Sequence, residues 1–484
     1  MTISGALNNA MSGLRATGRA AEVVSSNLSN ALTPGYAKRM LELSPSIMGG
    51  NGGVRIDGIV RNVDPVLLAD RQLASATFGN RSATAGFLDQ LETMLGTPDD
   101  PNSLSARVAD LGNSLITASS RPDAPERLGA ALNSARDLAT KINVAASEIQ
   151  DARTQADRSI DAQVRRLNDA LQELEDLNGM ITSTFSQGGD AAALHDVRQK
   201  LVDEVSEMVP VRTVQRQYGS IALYTTGGSV LLDGSAAEVG FDPVNIVTPY
   251  MSEAAGSLSG LTVNDNPVQT GSERGSLRGG TLGAQFAIRD ELAPQAQEKL
   301  DAVARDLIER FQDPAVDPTL GVGMAGLFTD GGTAFDPLDE VGLSDRISLN
   351  ALVDPKQGGE TWRLRDGIGA AAPGNVGDAR LLQSLGDALE TTRVPGSGGF
   401  GTGSYDANDL TASMMSTLAA DRKNSDQQLS FASTQLQELT QLELADGVDS
   451  DEELRRLILI EQAYAANARI IETVDDMMQT ILRI

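Results

Sequence analysis

The clearest periodicity in this 484-residue chain lies at its two ends. In the first 31 residues, Ile3, Ala10, Thr17, Val24 and Ala31 recur every seven positions, and Leu7, Leu14, Ala21 and Leu28 form a second register offset by four. The last 30 residues repeat the device, with Leu457, Tyr464, Ile471 and Met478 in one register and Ile460, Asn467, Val474 and Ile481 in the other. Both patterns are the a/d seam of a helix made to lie against another helix. A single stripe could be covered by a local core, but two at opposite ends of one long chain favour pairing with each other. Charge points the same way. Residues 1–39 hold Arg15, Arg19, Lys38 and Arg39 against Glu22, a net of +3, whereas residues 447–484 hold four arginines and eight acids, a net of −4. Exposed ion pairs are each worth under about 1 kcal/mol, so such charge sets orientation more than stability.

Between the ends the pattern changes several times. Thr33-Pro34-Gly35-Tyr36 closes the first helix, because proline drives the preceding residue out of the helical region and glycine permits a tight turn. These four residues are the candidate hinge. Gly52 to Arg61 alternates like a strand or hairpin. Helical periodicity returns near Ala85, breaks at Gly96–Asn102, and runs from about Pro125 to Phe185 without a proline, enough for a single helix of about 90 Å. A further helix, Ala191–Val209, stops at Pro210. In residues 211–280, Ser220–Thr226 and Ser229–Leu232 flank Gly227-Gly228 like a hairpin. Helix resumes over Gly283–Gln312 and Ala407–Leu444, with a stretch rich in glycine, proline and aspartate over 313–404.

The expected fold class is mainly α with β-rich insertions (α+β): an elongated multi-domain rod whose terminal helices pair as a coiled coil. The expected divisions are 1–35 with 450–484 as the terminal coiled coil, and 36–210 with 281–312 and 405–449 as an antiparallel helical rod. Residues 211–280 form a β-rich insertion and 313–404 a loop-rich variable domain. The length alone calls for roughly three domains.

Composition excludes more than it selects. A formal charge of −27 repels phosphate backbones, so nucleic acid is a poor partner. The absence of cysteine removes disulfides, cysteine metal sites and thiol nucleophiles together. The beginning of the chain lacks a cleavable signal-peptide pattern, and no run of about 18 apolar residues is present for insertion in a membrane. His195 is the sole histidine, which rules out a histidine zinc cluster and leaves little scope for a serine-histidine triad. Gly321-Val322-Gly323-Met324-Ala325-Gly326 has neither the preceding strand nor the following helix of a phosphate loop, and reads as turns. Asp451-Glu452-Glu453 fits the first turn of a helix, where the dipole favours negative charge. Trp362 suits the core of a small domain better than a binding patch. No catalytic, cofactor or metal site is expected.

Two segments carry a resemblance. Met11–Ala16 and Ser26–Tyr36 resemble the N-terminal signature of flagellar rod, hook and hook-associated proteins, and Gly447–Glu453 with Glu461–Ile471 resembles the closing helix of the same group. Lys38, Arg39, the acidic run at 451–453 and the long helical interior are more similar to the first hook-associated family than to the hook family. Gly279–Ala284 with Phe286, Arg289 and Asp290 is similar to that family's central helix, although Glu309–Pro314 departs from it.

The resemblance implies an exported structural subunit joining hook to filament, with about 11 copies of itself in a ring. It further implies the hook protein and a second junction protein as neighbours, an export chaperone on the C-terminal helix, and an extracellular location reached through the flagellar secretion apparatus. The terminal helices are expected to be largely disordered until they dock. A hook or distal-rod protein of the same group, and a secreted hydrolase on a flagellar scaffold, are the alternative readings.

Overall fold

The computed structural model describes residues 3–33, 35–46, 52–97, 99–270, 275 and 277–483. In chain order it runs α1 (Ile3–Asn30), a hairpin of β1 (Arg39–Pro45) and β2 (Val54–Arg61), then four helices: α2 (Pro65–Leu95), α3 (Leu104–Ser120), α4 (Pro125–Ser186) and α5 (Ala192–Met208). Strands β3 (Val211–Gln215), β4 (Ile221–Thr225), β5 (Val230–Asp233), β6 (Ser235–Ala236), β7 (Val239–Gly240), β8 (Leu261–Val263) and β9 (Asn266–Val268) follow. The chain returns through α6 (Gly280–Ala287) and α7 (Ala293–Gln312). It then builds β10 (Phe328–Asp330), α8 (Leu343–Arg346), β11 (Ile347–Leu349), α9 (Arg363–Asp366) and α10 (Arg380–Glu390), and closes with α11 (Ala407–Ala445) and α12 (Ser450–Leu482).

α4 is the axis of the molecule. Its 62 residues bury Leu128, Leu132, Ala135, Leu138, Ile142, Ala145, Ile149 and onward at spacings of three and four, so one face is buried along its length, apolar in each half and polar between them at Arg153, Thr154 and Asp157. Pro125 opens it where a missing N–H costs nothing. α2 starts the same way at Pro65, with the Asp64 carboxylate accepting from Val66 and Leu67 N–H as its cap.

Two cores share this axis. The N-terminal half of α4 packs with α2, α3, α7, α10 and α11, and the same cluster takes in Leu320, Phe328, Leu343, Ile347 and Leu364 from residues 313–404. The C-terminal half packs with α5, α6 and the sheets of 211–268, through Ile221, Leu223, Leu231, Val239 and Leu261. Neither insertion is a free-standing globule; each borrows apolar surface from the helices.

Buried charge pins both insertions down. Between α6 and α7 the helix widens into a π turn at Ile288–Leu292, with the Ala293 N–H bonding to Ile288 O. Arg289, fully buried there, pairs with the buried Asp157 of α4 at 2.6 Å, donates to Ser259 O, and lies over the rings of Phe286 and Phe241. Arg153 donates to Thr248 O and Met251 O from the same helix. On the other insertion, Arg310 at the end of α7 pairs with Asp306 and donates to the carbonyls of Ala388, Thr391 and Tyr405. Residues 309–314, which depart from the family pattern, thus supply a clamp of their own. Trp362 is half-buried, with the Arg363 guanidinium over its ring.

Candidate assembly interface

α1 and α12 lie along each other, and α12 packs substantially on no other described element. On α1, Val24 is buried and Ile3, Leu7, Leu14, Ala21 and Leu28 are partly covered. On α12, Val474 is buried and Leu457, Ile460, Asn467 and Ile471 are partly covered, whereas Tyr464, Met478 and Ile481 remain 47%, 48% and 56% exposed. The helices approach closely at Gly13, where a Cβ would sit 2.8 Å from the Asn467 side chain, so glycine is what lets the asparagine into the seam. Outside the heptad registers, α12 also exposes Leu454, Ile458, Leu459, Ile470, Met477 and Leu482. A helix with apolar residues around most of its girth needs more than one partner.

The N-terminal end of α12 is fixed by a buried asparagine that the periodicity does not single out. Asn27 is fully buried, and its side chain uses every hydrogen-bonding position it has. Nδ2 donates to Arg39 O at 2.9 Å and to Glu453 Oε2 at 3.1 Å, while Oδ1 accepts from the Tyr36 hydroxyl at 2.8 Å and from Arg39 N–H at 2.9 Å. One amide therefore ties α1, the following turn, β1 and α12 together. Lys38, nearly buried, donates to Glu452 at 2.8 Å and lies 3.7 Å from Glu453 Oε1. The acidic run at the head of α12 accordingly divides its duties. Asp449 is the cap, accepting from Asp451 and Glu452 N–H, and Glu452 and Glu453 hold the cation and the asparagine.

Of the candidate hinge residues, Thr33 is exposed, Tyr36 N–H donates to Thr33 O at 3.1 Å, and Gly35, third in that turn, has φ +77°, a left-handed conformation that glycine adopts without strain. Pro34 lies outside the described residues. Below the turn, Arg39 and Arg61 both pair with Asp196 of α5, at 2.7 and 2.8 Å, and Arg39 stacks on Tyr36. Burial together with Arg198 and Arg61 lowers the pKa of His195, beside Asp196, to about 4, and its Nδ1 takes a hydrogen bond from Arg198. An open crevice of about 450 Å³ separates this turn from α2, α5 and the end of α11, with Arg71 bridging Asp203 and Glu443 across it. Burial raises the pKa of Glu443. Asp196, Asp203 and Glu443 carried no sequence signal; Asn27 stood inside a recognised motif but looked like an ordinary helix-end polar residue.

Comparison with known proteins places these ends and the rod between them. The model described as "Flagella basal body rod protein" matches residues 7–36, the one described as "Flagellar basal body rod FlgEFG protein C-terminal" matches 445–484, and "Flagellar hook-associated protein FlgK helical domain" matches 88–316. Both terminal matches fall on the α1/α12 pair and its knot, which makes this a structural protein of the bacterial flagellum. The relatives narrow the class. Flagellar hook-associated protein 1 of Escherichia coli is 24% identical with the whole of both chains aligned, and that of Bacillus subtilis is 22% identical over 98% of this chain and 97% of its own. Flagellar hook-associated protein 1 of Salmonella typhimurium is 26% identical over 64% of this chain and 56% of its own. The solved structure of the flagellar hook junction protein FlgK from Burkholderia pseudomallei aligns over 56% of this chain and 47% of that one, at 22% identity and a TM-score of 0.44. The chain is thus similar along its whole length to flagellar hook-associated protein 1, a protein of the flagellum. As such it is an extracellular component of the flagellum and assembles with other flagellar components. Among the described residues, no helix is long and apolar enough to cross a membrane.

Proposed function

We propose that this chain joins hook to filament, polymerising through the α1/α12 pair, and that it catalyses no reaction. The observation that carries this reading is the apolar surface of α12 left uncovered by α1: Leu454, Ile458, Leu459, Ile470, Tyr464 and Met477 want neighbouring helices, as subunits of a tube supply. The heptad positions Ile3 to Leu28 and Leu457 to Ile481 are the assembly seam, and Thr33–Tyr36 is the joint between the seam and the rod. The terminal pair, the helical rod and the two insertions act as separate units in the assembly. The partners are further copies of the chain, about 11 in a ring, with the hook protein below and a second junction protein above. A chaperone covers the C-terminal helix before export, which proceeds through the flagellar secretion apparatus without cleavage of a signal peptide.

Electron microscopy of cells lacking the gene, with an assay for flagellin in the medium, tests the reading. Hooks of normal length without filaments, and flagellin lost to the medium, are the expected result. Missing hooks would move the chain to the hook or distal rod, and intact filaments would overturn the structural role.

A further inference from the structure

Acidic side chains outnumber lysine and arginine by 66 to 39 in this chain, yet one cavity in it has no carboxylate in its walls. The cavity, of about 360 Å³, lies between α2, α5, β3 and the segment that leads from β2 into α2. Its ionisable lining residues are Arg61, His195 and Arg198, and Gln72, Thr213 and Gln215 add neutral polar groups. Arg198 is buried and, among the described residues, makes no ion pair. Its guanidinium donates to Asn178 Oδ1, to Gly219 O and to Nδ1 of His195, which are all uncharged acceptors. With Nδ1 accepting, the neutral imidazole carries its proton on Nε2, for which the described residues supply no acceptor. Arg61 spends Nε on Asp196 at 2.8 Å, and its two Nη groups find no hydrogen-bond partner among the described residues. Asp196 is itself shared with Arg39 at 2.7 Å. Three guanidinium groups therefore gather here around one paired carboxylate. Burial, then Arg61, lower the Arg198 pKa to about 10, the direction expected of a cation short of opposite charge. A buried cation without a counter-charge is costly, so the arrangement favours whatever anion can enter.

We propose that this cavity binds a small oxyanion of the phosphate class, gripped by Arg61 and Arg198 with the His195 Nε2–H as a further donor. Guanidinium groups present paired N–H donors that match two oxygens of such an ion. Two negative charges on the ion balance the excess of three guanidinium groups over one carboxylate. The bound ion ties the entry of α2 to α5 and to the sheet that begins at β3. These walls belong to the rod and the first insertion, so the site requires neither terminal helix to be in place. It is likewise independent of where in the flagellum the chain sits.

His195 is the sole histidine, so selective ¹³C labelling of histidine in the full-length chain gives one imidazole signal, and it reports on this cavity. Inorganic phosphate is titrated in at constant ionic strength, set with sodium chloride. The signal should shift along a saturating curve with a dissociation constant of about 1 mM or tighter. Arg198→Gln should abolish the shift. Arg61→Gln keeps the Arg198 contacts to Asn178 and Gly219, so it carries the test should Arg198→Gln unfold the sheet; it should weaken binding by about tenfold or more. Arg165→Gln removes the same unit of charge from an exposed pair on α4 and should bind phosphate as the native chain does. A native signal that phosphate moves no more than chloride does would overturn the proposal. So would undiminished binding by folded Arg61→Gln, or equal weakening by Arg61→Gln and Arg165→Gln.

Discussion

At the scale of single residues, the position most sensitive to change is Asn27. Replacing it with alanine leaves Glu453 Oε2 and both backbone groups of the half-buried Arg39 without this partner, and the Tyr36 hydroxyl with Ser26 Oγ alone. Each such group costs about 1–3 kcal/mol when unsatisfied, and some relaxation is open to Tyr36, so Asn27→Ala should lower the unfolding free energy by about 3 kcal/mol in a urea titration. Asn27→Asp, nearly identical in shape, should be at least as damaging, since it sets a second carboxylate against Glu453. A surface role for Asn27 would show as a change under about 0.5 kcal/mol for both variants.

His195 gives a second residue-scale expectation, in pH. Burial, then Arg198 and Arg61, lower its folded pKa from 6.5 to about 4, with Asp196 and Asp190 opposing. The unfolded chain therefore takes the proton first as pH falls, so the stability that depends on neutral His195 is complete above about 6.5 and lost progressively toward about 4. The thermal midpoint of the native chain should drop over this interval more steeply than that of His195→Gln, which has no proton to take up there. Parallel profiles for the two proteins would remove His195 as a cause.

At the scale of elements, the two insertions should respond to their buried anchors rather than to the many ion pairs on the surface. Asp157→Ala leaves the buried Arg289 with Asp290 as its remaining carboxylate partner and Val244 N–H without its acceptor, and should cost about 1–3 kcal/mol. The first consequence should be faster limited proteolysis within residues 239–268. Asp161→Ala, only one turn further along α4, removes an exposed i,i+4 pair with Arg165 and should change stability by under about 0.5 kcal/mol. A comparable loss for both would mean that burial does not decide the matter. What was legible in the sequence follows the same division between local and distant causes. α4 could be read because 62 residues repeat one local rule with no proline after the first position. The β4/β5 hairpin could be read because Gly227-Gly228 interrupts two apolar runs. β1 was missed beside its partner β2, since Arg39–Pro45 ends in proline and follows directly on a conspicuous helix-end motif. α10 was missed because its 11 residues sit between glycine-rich segments, although its apolar face, Leu382, Leu385 and Leu389, is regular. Glu453 was read as a first-turn acid, which its neighbours are; that it turns inward to meet Asn27, 426 positions away, is set by tertiary packing that no local pattern encodes.

At the scale of the whole molecule, charge and apolar surface oppose each other, and their balance predicts how assembly responds to salt. The chain carries a net charge of −27, and α12 places Glu461, Glu472, Asp475 and Asp476 among its exposed apolar side chains. Copies brought side by side through α12 must therefore bring like charges together before apolar surface is buried. At about 10 mM salt the screening length is about 30 Å, so two copies repel well before contact; at about 300 mM it falls below about 8 Å, shorter than the width of a helix with its side chains. Burial of apolar surface is not weakened by this screening, so the repulsive half of the balance is removed and the attractive half remains. Sedimentation of the purified chain should show monomer at low salt and a rising share of oligomer at high salt. A chain ending before Ser450 should stay monomeric at both, because it keeps most of the charge and loses α12. If the truncated chain associates as the full one does, the attraction lies on the rod and the terminal pair is not the polymerising segment. Were association instead strongest at low salt, attraction between oppositely charged patches would be driving it, and the net charge would be the wrong quantity to reason from.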